Sequence, residues 1–177
     1  MGDNIEKSAA KMKAVKRSRT RTGETTAVEM EKPLSVTDFS RVYRLEPMGR
    51  IEMIKKGVPA GEVEKIARTI GRPKERVIKV LGLPRATIDR RARSRQQLSV
   101  DQGERVLGLS KLVGQVQVMV EQSGNPEGFD AARWVADWLD RPSPALGGRC
   151  PAEYMDTAEG QELVSGLIAK LQSGAYA

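Results

Sequence analysis

A cluster of arginines near the middle of the chain has the chemistry to bind nucleic acid. Guanidinium groups donate paired hydrogen bonds to guanine in the major groove and to phosphate oxygens along the backbone. We expect Arg85 and Arg90 to contact base edges, whereas the neighbouring basic and hydroxyl side chains position the protein on phosphates. The residues predicted to contact DNA are Lys74, Arg85, Ala86, Thr87, Arg90, Arg91 and Arg93.

The charge around these arginines supports contact with a polyanion. Residues 65–95 contain eleven bases against Glu75 and Asp89, a net charge of +9. Concentrated basic charge is the footprint expected of a phosphate-binding protein. From residue 125 onward the sign reverses, to a net charge of −4. A basic middle and an acidic end indicate two roles, one towards a polyanion and one towards another partner.

The composition excludes several kinds of chemistry. The 177 residues include no histidine, which removes imidazole bases and imidazole metal ligands. The single Cys150 has no partner for an intramolecular disulfide and is typical of a reducing compartment. Ser165 lacks the strand–turn–helix context of a nucleophile elbow. We therefore predict that the protein is not an enzyme and has no cofactor or metal.

The sequence shows no pattern of a signal peptide or of a membrane span. Residues 1–20 contain no apolar core of the kind that a signal peptide requires. No apolar run reaches the roughly 18 residues that a membrane span needs. We expect a cytoplasmic protein without membrane contact.

Apolar spacing predicts helices along the chain and no convincing strand, so the expected fold class is all-α. The predicted helices are 48–56, 59–70, 73–81, 84–94, 101–122, 129–140 and one that starts near residue 156. The pair 73–81 and 84–94, joined by a glycine-containing turn, has the pattern of a helix-turn-helix. Val77, Ile78, Leu81 and Ile88 are predicted to seal this pair against its neighbours.

Three features of these helices concern capping, dimer contact and core packing. Ser99 and Gln102 have the spacing of a capping box before the longest helix. In that helix Leu112, Val116 and Met119 fit either the core or a dimer seam. Trp134 and Trp138, one helical turn apart, are interpreted as core rather than as contact residues.

The chain divides into three segments. Residues 1–33 are predicted to be a disordered basic arm, because residues 1–22 have a net charge of +5 and no apolar stripe. A solubility tail and a nucleic-acid arm explain this segment equally well. Residues 34–122 are predicted to form a helical DNA-binding and dimerisation domain, and residues 123–177 a second small helical domain.

A proline- and glycine-rich loop carries the most specific pattern in the sequence. It reads WLDRPSPALGGRCP at 138–151, followed by DTAEG at 156–160 and by a glycine at 174. This pattern resembles the toxin-binding domain of the Xre/MbcA/ParS antitoxins, and the helix-turn-helix extends the resemblance to residues 50–177. Ser143 departs from the usual asparagine, and Cys150 stands where a small polar residue is common.

The resemblance implies a function that composition does not show. Such antitoxins are encoded beside RES-domain toxins, which degrade NAD or use it to ADP-ribosylate a target. The antitoxin dimerises, assembles with the toxin into a larger hetero-oligomer, blocks its active site, and represses its own operon through the helix-turn-helix.

The last residues of the chain are predicted to enter the cleft of the toxin. Gly174 is suited to end the final helix, and the short apolar segment beyond it includes one tyrosine that provides contact area at little entropic cost. The terminal carboxylate is expected to pair with a cationic group there. The predicted toxin-binding residues are Lys170, Ser173, Gly174, Ala175, Tyr176 and Ala177.

An alternative function remains open at the level of sequence. A stand-alone helix-turn-helix transcriptional regulator, with a C-terminal domain that dimerises or senses a ligand, also fits the basic centre and the helical end. A RES-type reading frame immediately downstream of the gene would favour the antitoxin.

Overall fold

The computed structural model describes residues 34–124 and 126–172. The predicted basic arm and residues 173–177, which are predicted to plug the toxin cleft, lie outside the described residues. Within these two ranges the chain is mostly helical and forms no strand, which confirms the all-α class. The helices are α1 (Phe39–Arg44), α2 (Pro47–Lys56), α3 (Glu62–Thr69), α4 (Lys74–Val80), α5 (Arg85–Arg93), α6 (Val100–Gln122), α7 (Ala131–Leu139) and α8 (Ala158–Gln172). Two 3-10 turns, Pro144–Leu146 and Pro151–Tyr154, connect α7 to α8. Among the described helices, none combines the length and the hydrophobicity of a membrane span.

Helices α2 to α8 occupy the segments where apolar spacing predicts them, and α1 is the unpredicted one. Of its six residues only Phe39 and Val42 are buried. A stretch of this length is too short to show helical periodicity. Helix α7 begins later than predicted because Asp130 caps it. The Asp130 carboxylate accepts a hydrogen bond from the Arg133 N–H at 2.9 Å.

Helix α6 lies at the centre of the molecule. Helices α1, α2, α7 and α8 all pack against it, and twelve of its 23 residues are buried. Leu112 and Val116 belong to the core of this single chain, and Met119 packs against that core. At the start of the helix the Ser99 N–H donates to the Gln102 side-chain oxygen at 3.2 Å, as the predicted capping box requires.

A reciprocal polar pair joins α6 to α8 in a largely apolar contact. The amide of Gln115 donates to the Ser165 carbonyl oxygen at 3.1 Å, and the Ser165 hydroxyl donates to the Gln115 side-chain oxygen at 2.8 Å. Gln115 is buried, so these bonds satisfy groups that would otherwise be left without water. Ser165 therefore has a structural role, consistent with the absence of a nucleophile motif around it.

The segments on either side of residue 122 share one hydrophobic core. Val63 and Ile88 from the first segment belong to the same cluster of buried residues as Val135 and Ile168 from the second. The division into domains at residue 122 remains a prediction about sequence organisation.

Helix α1 crosses α6 at a glycine. A Cβ atom added to Gly114 would lie 2.0 Å from the Phe39 carbonyl oxygen and 2.8 Å from the Tyr43 Cβ. The contact partner is backbone, which has no flexible end to move away. Gly114 therefore sets the distance between the two helices.

We predict that Gly114→Ala lowers the free energy of unfolding by about 1–3 kcal/mol, because the new methyl group forces α1 away from α6. Gly166→Ala is the matched control, since it adds the same methyl group to a helix where nothing lies within 4 Å. There alanine raises helix propensity, and stability should rise by up to about 1 kcal/mol. Urea unfolding monitored by circular dichroism measures both. Equal effects of the two substitutions would contradict the close approach of α1.

Candidate functional site

Helices α4 and α5 form the predicted helix-turn-helix. Leu83 N–H donates to the Ile78 carbonyl oxygen at 2.9 Å and Gly82 N–H to that of Lys79 at 3.2 Å, the two bonds of a Schellman motif. Gly82 has a φ of +57°, which glycine adopts without strain. The four residues predicted to seal the pair, Val77, Ile78, Leu81 and Ile88, are all buried.

One arginine of α6 holds the turn of the helix-turn-helix in place. Arg105 donates from Nη1 to the carbonyl oxygens of Leu81, at 3.0 Å, and Gly82, at 2.9 Å. Its Nη2 pairs with Asp101 at 2.8 Å. The pKa of Asp101 lies below its ordinary value because of a hydrogen bond from the Ser99 hydroxyl and then the Arg105 guanidinium, against an opposing effect of desolvation. The orientation of α5 thus depends on a contact with α6.

Several predicted DNA-contacting residues face solvent on α5. Ala86 and Arg90 are exposed, and Thr87 is half-buried. Arg90 forms no salt bridge or side-chain hydrogen bond with the residues that the structure describes. Arg91 is half-buried and donates to the Gln102 side-chain oxygen at 3.0 Å. The helix therefore presents Arg90 without an internal partner.

The other predicted DNA-contacting residues meet at a carboxylate in the middle of α5. Lys74 Nζ lies 2.6 Å from Asp89 Oδ1, and Arg85 Nε lies 3.7 Å from Asp89 Oδ2. Arg85 also pairs with Glu75 at 3.1 Å, and Arg93 donates to the Asp89 carbonyl oxygen at 3.2 Å. The hydrogen bond from Lys74 is the largest effect on Asp89 and, against desolvation, it holds the pKa of that carboxyl below its ordinary value.

The residues of the proline- and glycine-rich pattern shape the loop between α7 and α8. Gly147 and Gly148 both have positive φ, +65° and +84°. Ser143 closes the loop, because its N–H donates to the Arg149 carbonyl oxygen and its own carbonyl oxygen accepts from Gly148 N–H, both at 2.9 Å. The Cys150 thiol lies 3.4 Å from the Asp140 carbonyl oxygen, within hydrogen-bond distance. The two glycines therefore shape the backbone of the loop.

The second part of the pattern begins α8. Gly160 N–H donates to the Thr157 hydroxyl oxygen at 3.0 Å, the bond of an N-terminal helix cap. A Cβ atom on Gly160 would lie 1.9 Å from the Tyr154 carbonyl oxygen. The threonine and the glycine therefore fix where α8 starts and how closely it approaches the preceding 3-10 turn.

An apolar groove of about 310 Å³ runs between this loop and α8. Trp138 forms one wall and stacks on Trp134, with ring centroids 5.9 Å apart and an interplanar angle of 8°. Both tryptophans are half-buried and pack against the core, so they combine core packing with an accessible face. The groove is lined by Trp138, Arg141, Pro142, Ser143, Pro144, Ala145, Leu167 and Leu171.

The end of α8 adjoins this groove. Leu171 lines it with about 43% of its surface exposed, and Leu163 on the same helix is also exposed. Lys170 is exposed and is the one predicted toxin-binding residue within the described ranges. Residues 173–177 follow α8 directly in the sequence.

Ion pairs connect the helix-turn-helix region to α7. Arg72 pairs with Asp137 and, through Nε, lies 3.7 Å from Asp140. Arg76 on α4 pairs with the other oxygen of Asp140. The acidic end of the chain therefore neutralises part of the basic centre. The charge distribution along the sequence had instead predicted two separate surfaces.

Two family models match the chain in the regions just described. The antitoxin Xre-like helix-turn-helix domain matches residues 49–111. The antitoxin Xre/MbcA/ParS C-terminal toxin-binding domain matches residues 127–174. The fold and these matches define the class: an antitoxin with a helix-turn-helix and a C-terminal toxin-binding domain.

Two relatives are similar over most of their length. One is described as the Prs ADP-ribosylating antitoxin of Sphingobium sp. (strain YBL2), 45% identical over 139 residues, which are 78% of this chain and 87% of the relative. The other is Antitoxin Xre of Yersinia enterocolitica serotype O:8 / biotype 1B (strain NCTC 13174 / 8081), 23% identical over 126 residues, 71% and 80% of the two chains. The chain belongs to the Xre/MbcA/ParS antitoxin family, as the loop pattern predicted.

Sequence reasoning missed two arginines that make long-range contacts, one within the first matched region and one between the two regions. Arg105 and Arg72 lie far in sequence from the atoms they contact, and no local spacing signals such pairs. The groove was missed for the same reason, because its two walls come from α8 and from the loop that precedes it.

We predict that Lys74→Met raises the pKa of Asp89 towards its ordinary value of 3.8, because the hydrogen bond that favours the charged carboxylate is lost. With the depressed pKa, the contribution of this carboxylate to stability is present above the unfolded value and is lost as pH falls through the folded value. NMR titration of the labelled carboxyl carbon measures the shift. Lys79→Met removes an exposed lysine from the same helix and should leave the Asp89 pKa unchanged. An unchanged pKa in Lys74→Met would refute the assignment.

Proposed function

We propose that this antitoxin binds a cognate RES-domain toxin, blocks its NAD-consuming or ADP-ribosylating active site, and represses its own operon by binding operator DNA as a dimer. The observation that carries the proposal is the match of residues 127–174 to a toxin-binding domain, joined to a complete helix-turn-helix. The Sphingobium relative is described as a Prs ADP-ribosylating antitoxin. ADP-ribosylation consumes NAD, so that description agrees with a toxin of the RES class.

The toxin-binding role is assigned to the groove and to the residues beyond α8. The exposed Leu171 beside Trp138 provides an apolar contact surface, and apolar patches of this kind mark protein interaction sites. The residues proposed to plug the active site are Lys170, Ser173, Gly174, Ala175, Tyr176 and Ala177. The groove would bind the outer surface of the toxin while the segment after α8 reaches the cleft.

The DNA-binding role is assigned to α5. Its exposed Arg90 has no internal partner within the described ranges, so it is available to a base edge. The ion pairs of Lys74 and Arg85 are partly exposed, and contacts of this kind exchange readily for phosphate oxygens. A dimer would present two such helices to half-sites about one helical turn apart.

We predict that removing residues 174–177 abolishes toxin inhibition, because the segment that enters the active site is lost. Co-expression with the neighbouring gene, followed by cell survival and NAD measurements, tests this. Operator binding and thermal stability of the truncated protein are the internal controls and should stay near those of the full chain. Full protection by the truncated protein would refute the plug. A chain that binds its promoter but purifies with no toxin would favour the stand-alone regulator.

We predict that Arg90→Ala weakens binding to the native promoter by about 1–3 kcal/mol and relaxes preference at one base pair. Arg68→Ala is the matched control, because it removes an exposed arginine from α3 that pairs with Glu64. Gel-shift titrations on the promoter and on mutated half-sites measure both variants. Wild-type affinity and specificity of Arg90→Ala would show that α5 is not the recognition helix.

A further inference from the structure

Three successive helices end in the same backbone motif. The N–H groups of Arg72, Leu83 and Gln96 donate to carbonyl oxygens five residues earlier, at 2.9, 2.9 and 2.8 Å. The residue before each of them adopts a left-handed conformation: Gly71, with φ +66°, after α3, Gly82, with φ +57°, after α4, and Arg95, with φ +52°, after α5. This is the Schellman motif, in which glycine is the usual left-handed residue.

Arg95 is therefore an exception that needs an explanation. It is the one non-glycine residue with positive φ in the described part of the chain. A side chain at this position strains the backbone, and glycine or asparagine would fit better. Such strain is concentrated at functional sites, so an observed outlier points to a use for the side chain.

The fold itself does not use the Arg95 guanidinium. The residue is exposed, and it makes no salt bridge or side-chain hydrogen bond with residues 34–124 or 126–172. The strain is therefore not offset by an internal contact of the charged group, which is left available for a partner.

The other bases of the region show where unneutralised charge remains. Six of the eleven bases in residues 65–95 form salt bridges: Lys65, Arg68, Arg72, Lys74, Arg76 and Arg85. The five that form no salt bridge in the described ranges are Lys79, Arg90, Arg91, Arg93 and Arg95. Four of these five lie between residues 90 and 95. The positive charge is thus concentrated at the C-terminal end of α5 and in the loop after it.

The loop after α5 lies against the end of α2. Ala60 N–H donates to the Gln96 carbonyl oxygen at 3.0 Å, and Leu98 N–H donates to that of Val58 at 2.8 Å. A Cβ atom on Gly57 would lie 1.9 Å from the Gln97 side-chain oxygen, so the two segments touch.

This contact places two further lysines beside the loop. Lys55 and Lys56 form the basic last turn of α2, next to Gly57. Both are exposed and form no salt bridge within the described part of the molecule. Lys55 and Lys56 thus come just before the segment that the loop contacts, and Arg95 comes just before the loop residues that make the contact.

We propose that Lys55, Lys56 and Arg95 form a phosphate-binding surface that contacts the backbone of duplex DNA beside the recognition helix. This inference rests on the proposed DNA binding and adds a contact surface outside the residues predicted from sequence. Exposed cations at the end of α5 meet the phosphates that flank the groove in which α5 lies. Such contacts fix the position of the protein on the duplex and contribute to affinity, but they do not discriminate between base sequences.

The test uses substitutions that remove charge and relieve backbone strain together. Arg95→Gly and Arg95→Asn should keep or raise the thermal midpoint, because both residues suit a left-handed position. Each should reduce the slope of log affinity against log salt by roughly 0.9 per protomer, the value for one phosphate contact, and therefore by roughly 1.8 for the bound dimer. Operator and unrelated duplexes of equal length should lose affinity by the same factor. Fluorescence anisotropy at several salt concentrations, with the full chain, measures these quantities.

Three further variants complete the experiment. Arg95→Lys retains the charge and should keep the wild-type slope. Lys55→Gln/Lys56→Gln removes two charges from an exposed helix end of each protomer and should reduce the slope by roughly 1.8 per protomer, or roughly 3.6 for the bound dimer. Arg68→Gln removes one charge that already pairs with Glu64, and its slope should not change.

Each contrary outcome has a separate meaning. Unchanged slopes in the Arg95 and lysine variants, with normal operator binding, would overturn this surface and leave the proposed function standing. A loss confined to the operator would assign Arg95 to base recognition and overturn the phosphate assignment. A lower thermal midpoint in Arg95→Gly would show that the arginine stabilises the fold, and this result would also overturn the phosphate assignment. If the wild-type chain binds no DNA, both proposals fail.

Discussion

Helix α6 is buried along most of its length because the chain packs against it from both directions. Helices α1 and α2 precede it and α7 and α8 follow it, and each covers part of its surface. Apolar burial on several sides of one helix stabilises both regions together, since neither can leave without exposing that surface to water. Arg105 extends this dependence to the helix-turn-helix, because it holds the turn carbonyls from α6. The two regions matched to different functions are therefore built on one structural element.

The ion pairs between the two regions contribute orientation more than stability. Arg72 and Arg76 meet Asp137 and Asp140 at a partly exposed surface. Partly exposed pairs contribute about 0–1 kcal/mol each because water and salt screen them. Their main effect is on orientation, since a planar guanidinium constrains the direction of the carboxylate that it meets.

The family pattern of the C-terminal region has a simple physical basis. Thr157 and Gly160 fix the start of α8, one by a cap and the other by close approach to a backbone oxygen. Gly147 and Gly148 allow the left-handed turns that bring the proline loop back towards α8. A groove between the loop and the helix results from these backbone constraints. Its walls are the apolar side chains that the constrained backbone brings together, including Trp138.

The all-α class, the helix-turn-helix and the family could be predicted from sequence, because helical periodicity, Gly82 and the proline- and glycine-rich loop are local signals. The sequence could not reveal α1, which is too short for periodicity, or place Leu112 in the core rather than in a dimer seam. Tertiary packing determined which bases form salt bridges and brought the loop after α5 against the segment that follows α2. The reason is physical: salt bridges and surface patches join residues tens of positions apart, and their pairing is set by how the helices pack.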